Sequence, residues 1–178
     1  MKRLLLLTLA LAVLLASLTG CFALDLIMGV TGSKEETFTY NGLNITLPSD
    51  FSETSSLGST LVLQSRKYRV DALPAFFSSI TPQDGNEFPT LEEFFIKSGT
   101  LKKGLREWDI KDVEGFKVVE HDNNGDGEMD VLCVLLESHN AYWAVKFSST
   151  ENIPLSEAQS LYIEWAKTIT FEQPATSV

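Results

Sequence analysis

Asp122, Asn124, Asp126 and Asp130 are the residues of this chain whose types and spacing could do chemistry together. At the first, third, fifth and ninth positions of a loop, they turn alternate side-chain oxygens toward one point. Gly127, at the sixth, permits the sharp bend that gathers those oxygens. Glu128 supplies a carbonyl at the seventh and a further carboxylate. An all-oxygen set of this kind suits a hard cation, so Asp122, Asn124, Asp126, Glu128 and Asp130 make a candidate calcium loop. Cys133 occupies the twelfth position, where a tight site carries a bidentate glutamate. The expected affinity is therefore weak, about 10⁻⁴–10⁻³ M. The competing reading is a plain hairpin turn, for which Asp, Asn and Gly are the expected residues.

The loop must be held by its flanks. Phe116–His121 and Met129–Ser138 are apolar runs of strand length on either side of it, and Ala141–Ser148 is a third such run. Together they form a long hairpin at the centre of a sheet, with the acidic loop as its tip. Because the flanks read as strands, the string from Asp122 to Asp130 resembles the calcium loops between strands of FG-GAP-type repeats more than a helix-flanked EF-hand. That resemblance covers nine residues, and no blade repeat accompanies it.

Other chemistry is sparse. Cys133 lies within Val131–Leu136 and reads as a small buried hydrophobe. A nucleophilic thiol needs a basic, partly exposed setting. His121 and His139 fall at opposite ends of one strand, and each reads as a surface or internally satisfied histidine. Zinc would need three or four clustered nitrogen or sulfur ligands. No nucleophile elbow, Cys/His pair or phosphate-binding glycine loop is present. No catalytic residue is assigned, and a hydrolase built on the two histidines ranks third among the functional readings.

The remaining elements follow from periodicity and punctuation. Thr37–Tyr40 and Leu43–Leu47 alternate with period two around Asn41-Gly42, a strong type I′ hairpin signal. Thr60–Ser65 and Tyr68–Phe77 read as strands joined by an Arg66-Lys67 turn, and Pro74 predicts an edge or a bend in the second. Ser78–Pro89 is a loop. Thr90-Leu91-Glu92-Glu93 matches a capping box and opens a helix expected over Leu91–Lys103. Trp108 and Ile110 suggest a strand that turns through Asp112–Gly115. Ala158, Leu161, Tyr162, Trp165, Ala166 and Ile169 form the apolar stripe of a last helix, with Pro154 near its first turn. A brief strand at Phe171 comes after it.

The N-terminus carries an address. Lys2 and Arg3 precede an apolar core, Leu4–Ala16, that is too short to span a bilayer, which takes about 20 residues. It ends in Leu18-Thr19-Gly20-Cys21, which resembles the lipobox of bacterial lipoproteins. The resemblance implies cleavage before Cys21 and a covalent diacylglycerol on its thiol, a firmer anchor than one acyl chain. Residues 1–20 are then signal peptide, 21–36 lipidated Cys21 and tether, 37–172 one domain, and 173–178 a tail. The place expected is outside the cytoplasm, tethered to a bacterial membrane. Loss of Lys2 and Arg3 takes the net charge from −10 to −12. Such acidity argues against nucleic acid and against electrostatic binding to anionic lipid. With Cys21 lipidated, Cys133 has no partner for a disulfide.

Strands in consecutive hairpins with two separated helices give an α+β fold: a single antiparallel sheet of about six or seven strands with both helices packed on it. Leu43–Phe51, Thr90–Glu93, Tyr142–Phe147 and Trp165–Ile169 resemble the corresponding stretches of the PsbP-like fold, found in extrinsic photosystem proteins and small bacterial lipoproteins. The resemblance implies a non-catalytic domain that works by contacting a protein partner or small ligand, and it transfers no functional residue. Calcium at residues 122–130, as a structural ion, is the alternative.

Overall fold

A computed structural model describes residues 34–54, 60–80, 89–97 and 110–172. The chain divides after Lys34, and the second unit, Glu35–Val178, holds the strands and helices of the described residues. The strands are β1 (Glu35–Tyr40), β2 (Leu43–Pro48), β3 (Ser52–Glu53), β4 (Leu61–Gln64), β5 (Tyr68–Phe76), β6 (Lys111–Val113), β7 (Phe116–His121), β8 (Val131–Glu137), β9 (Ala141–Ser149) and β10 (Thr170–Phe171). The helices are α1 (Leu91–Lys97) and α2 (Leu155–Lys167), with a 3₁₀ turn at Phe77–Ser79.

The expected single sheet is two sheets. One has three strands in the order β1-β2-β10, and the other seven in the order β3-β4-β5-β9-β8-β7-β6. All pairings are antiparallel. The hairpin β1–β2 turns at Asn41 (φ 49°) and Gly42 (φ 83°), as a type I′ turn requires. It does not join the large sheet because the free edge of β2 is taken by the chain's own C-terminal segment. Thr170 pairs with Asn44, Phe171 with Leu43, and Thr168 Oγ1 accepts the Thr46 N–H at 3.0 Å. The brief strand expected at Phe171 is β10, but periodicity does not say which edge it pairs with.

The large sheet is buried on both faces at its centre, which is why β8 and β9 read as continuous apolar runs and not as alternating ones. On its first face, Leu63, Val70, Leu132, Val134, Trp143, Val145 and Phe147 pack against β2 and α2. Buried side chains of this size each stabilise by about 1.5–3 kcal/mol. Helix α2 buries Leu155, Ala158, Tyr162, Ile163, Trp165 and Ala166. The expected stripe thus holds at four positions and is widened by Leu155 and Ile163. Tyr162 stacks on Phe147 at 5.8 Å, and Phe51 meets Trp165 edge-on at 5.4 Å. The Tyr162 hydroxyl is buried with no hydrogen-bond partner among the described residues. Burial, then Tyr68 and Asp130 nearby, raise its pKa.

On the second face, Val119, Cys133, Leu135, Tyr142 and Ala144 pack against Phe95 of α1. The capping box forms as its sequence dictates: Thr90 N–H donates to Glu93 Oε2 at 2.9 Å, and Glu93 N–H to Thr90 Oγ1 at 3.3 Å. The rest of the expected helix, with Gly99, Lys102 and Lys103, and the expected strand position Trp108, lie outside the described residues. Tyr142 Oη donates to Pro89 O at 2.6 Å and fixes the entry to α1. The strand expected around Ile110 begins one residue later, as β6, and turns at Glu114 (φ 49°) and Gly115 (φ 88°). Among the described residues, the β4–β5 ladder reaches Ala72 and stops short of Pro74.

Candidate functional site

The register of the large sheet sets out its second face in rows. Nearest the acidic tip runs Gln64–Arg69–Ser148–Val131–His121 across five strands. The next row is Val62–Asp71–Lys146–Cys133–Val119, and beyond it comes Leu73–Ala144–Leu135–Lys117. The last of these is largely apolar, as is the adjacent pair of Ala75 and Tyr142, and both lie toward α1. The first two rows carry Arg69, Asp71, Lys146, Ser148 and His121. The charged side chains of the face therefore gather toward the tip, on its polar half, while Phe95 of α1 packs on the apolar part, Val119 and Cys133 included.

Two adjoining cavities lie over the polar half. One of about 400 Å³ is lined by Thr54, Val62, Arg69, Asp71, Leu73 and Lys146. The other, of about 410 Å³, shares Arg69, Asp71 and Lys146 and reaches His121, Asn124, Asp130 and Ser148. Volumes of this order suit a small ligand. Arg69 Nε and Nη2 fork the Asp71 carboxylate at 2.9 and 2.8 Å, and this hydrogen bonding raises the Arg69 pKa. Burial, and then the Lys146 charge, push the His121 imidazole down to about 4, so its ring is neutral at pH 7.

His, Ser and Asp meet in this cleft, the residue types of a hydrolase, but the relay that such chemistry needs is otherwise engaged. Asp71 is held by Arg69, and Asp130 Oδ1 accepts the Asn123 N–H at 2.7 Å. At a pKa near 4, His121 is a poor general base at neutral pH. Cys133 is fully buried, and burial pushes its thiol up to about 12. His139 is exposed in the β8–β9 turn, at the far end of β8 from His121.

The tip is built from its own amides. Asp122 Oδ1 accepts the Gly125 N–H at 2.6 Å, and Oδ2 the Gly127 N–H at 2.8 Å. Asn124 Oδ1 accepts from Asp126 N at 3.0 Å, and Asp126 Oδ1 from Glu128 N at 2.8 Å. Gly125 (φ 83°) and Gly127 (φ 96°) take the left-handed conformations these turns need. The candidate oxygens are thus drawn inward onto the backbone. Among the described residues, no three His, Cys, Asp or Glu side chains gather as a metal site requires. The arrangement is that of a self-capped hairpin.

Lys146, Arg69 and Asp71 are the residues that sequence reasoning passed over. Their signal was local: charged residues at two alternate positions of β5, Arg69 and Asp71, and one lysine inside the apolar run of β9.

No protein-family model and no curated protein matches the chain. The solution structure of cyanobacterial PsbP (CyanoP) from Synechocystis sp. PCC 6803 superposes with a TM-score of 0.50, at 13% identity, over 81% of this chain and 96% of that one. The fold is PsbP-like. A crystal structure from Bacteroides thetaiotaomicron VPI-5482 superposes more loosely, with a TM-score of 0.47 at 10% identity, over 80% of this chain and 50% of that one. In the PsbP-like domain the four stretches that carry the resemblance are core elements: β2 with the buried Phe51, the α1 cap, β9, and the end of α2. They hold up the sheet that carries the cleft and contribute one residue, Lys146, to its lining.

Proposed function

We propose that the chain is a lipoprotein anchored through Cys21 outside the cytoplasm, whose PsbP-like domain works by binding rather than catalysis. Its binding surface is the polar half of the sheet's second face. One observation carries this: Phe95 of α1 packs on Val119, Cys133, Leu135, Tyr142 and Ala144, and among the described residues the charged part of the same face, with Arg69, Asp71, Lys146 and His121, lines cavities of about 400 Å³. The lipobox-like Leu18-Thr19-Gly20-Cys21 supports the anchor, and the engagement of Asp71 by Arg69 and the low pKa of His121 argue against acyl transfer.

Native mass spectrometry of the chain, released from its own membranes with mild detergent, tests the binding surface. An adduct, small molecule or protein, is expected on the wild type and lost with Arg69→Met plus Lys146→Met. A chain without adduct, or an adduct retained by that variant, contradicts the proposal. Cys21→Ser should move the chain from the membrane to the soluble fraction, and an unchanged distribution would remove the anchor.

A second function, a calcium ion rigidifying the 122–130 hairpin, rests on the spacing of Asp122, Asn124, Asp126 and Asp130 and on the turn at Gly127. Glu128 would add its carbonyl. Calorimetry with calcium separates it from a self-capped tip: no heat and no thermal shift leaves only the latter.

A further inference from the structure

We infer that the cleft holds a small oxyanion, a carboxylate or a phosphate group, with Lys146 as its principal cation. This rests on the polar half of the sheet being the binding surface and adds the chemistry of the occupant.

Charge in the cleft is unevenly paired. Lys146 stands in the centre of the sheet, opposite Asp71 on one side and Cys133 on the other. Its natural partner is Asp71, but the Arg69 fork has taken that carboxylate. Among the described residues no carboxylate lies within ion-pair distance of Lys146, although the chain carries 24 acidic residues against 14 basic ones. A bound oxyanion supplies the counterion that these residues do not, through a charge-assisted hydrogen bond. The Lys146 charge is felt by its neighbours, since it depresses the His121 pKa and opposes the rise at Cys133.

The rest of the lining suits the same ligand. Arg69 uses Nε and Nη2 on Asp71 and keeps further N–H donors, so its guanidinium can face a second acceptor. Ser148 lies one position pair from Lys146 on the same face and lines the same cavity, with a hydroxyl that can donate. Asp130 closes the tip end but spends Oδ1 on the Asn123 N–H. An oxyanion seated over Lys146 thus meets a cation below it and the Arg69 and Ser148 donors beside it, with the Asp71 carboxylate turned to Arg69 and Asp130 at the tip end of the cavity.

Titration of the full chain with sodium phosphate and, separately, with sodium succinate, followed by calorimetry, tests this. Saturable binding with a Kd of millimolar order or tighter is expected for at least one probe. Lys146→Met, which keeps the apolar stem and removes the charge, should weaken it at least about tenfold, the scale of one lost charged contact. Lys117→Met, whose lysine pairs with Glu92 and Asp112 outside the cleft, should leave it unchanged. The tighter of the two probes assigns the headgroup as phosphate or carboxylate. Binding of neither probe, or equal binding by Lys146→Met, overturns the oxyanion. If the native adduct is nevertheless present and is lost with the cleft variant, the binding surface stands and only its ligand class falls.

Discussion

Asp71 and Lys146 face each other across β5 and β9, yet no ion pair joins them, because Arg69 holds the Asp71 carboxylate through two nitrogens at 2.9 and 2.8 Å. Two residues apart on one strand, Arg69 and Asp71 point to the same face, and the short carboxylate stem meets the longer guanidinium first. The result is a charge arrangement that a single substitution should redistribute.

Asp71→Asn removes the competing carboxylate and should strengthen phosphate or succinate binding several-fold. Arg69→Met frees Asp71 to pair with Lys146 and should weaken binding about as much as Lys146→Met. Neither should change stability by more than about 1 kcal/mol, because half-exposed ion pairs contribute little. Calorimetry and urea unfolding of the three variants check this. Tighter binding by Arg69→Met would mean that the cleft is not organised around Lys146.

At the tip, Asp122 satisfies two loop amides with its two oxygens. Asp122→Ala should lower unfolding free energy by about 1–3 kcal/mol, the usual cost of hydrogen bonds to a charged acceptor. A self-capped tip shows this cost equally with EDTA and with added calcium. A cost seen only with calcium would instead assign the loop to the ion.

His121 gives a pH signature. Its folded pKa is near 4 against an ordinary 6.5, with burial the larger cause and Lys146 the smaller. As pH falls below 6.5 the unfolded chain takes the proton first, so stability from this group is present above 6.5 and lost progressively down to about 4. Thermal unfolding of wild type against His121→Gln should show a shallower acid slope in the variant over that window. Parallel slopes would mean that the imidazole is not desolvated.

Tyr162 predicts the opposite sign from most core substitutions. Its ring stacks on Phe147, but its buried hydroxyl has no partner among the described residues. Tyr162→Phe keeps the stacking and removes the unmet donor, so the variant should be as stable as the wild type or up to about 1 kcal/mol more so. A loss above about 1 kcal/mol in urea unfolding would reveal a hydrogen bond at that oxygen, a buried water included.

Much of the fold was legible because it is local. Asn41-Gly42, the Thr90–Glu93 box, the β8 and β9 runs and the α2 stripe each announce themselves within a few residues. The division into two sheets was not, since it depends on Phe171 finding Leu43 from the far end of the chain. The cleft was illegible for the same reason. Arg69, Lys146 and His121 come from three strands and meet only through register. The acidic tip was legible because its residues are consecutive, whereas the amide bonds that shape it, to Asp122 above all, show only in the fold.

In the cell, the polar half of the second face should be occupied, and on this the proposed function stands. Lysine acylation read by mass spectrometry, on chain in its own membranes and on chain stripped by denaturation and refolding, tests it directly. Lys146 should be protected in the membranes and reactive after stripping, while Lys67, exposed in the β4–β5 turn, reacts equally in both. Equal reactivity of Lys146 in the two preparations would contradict occupancy.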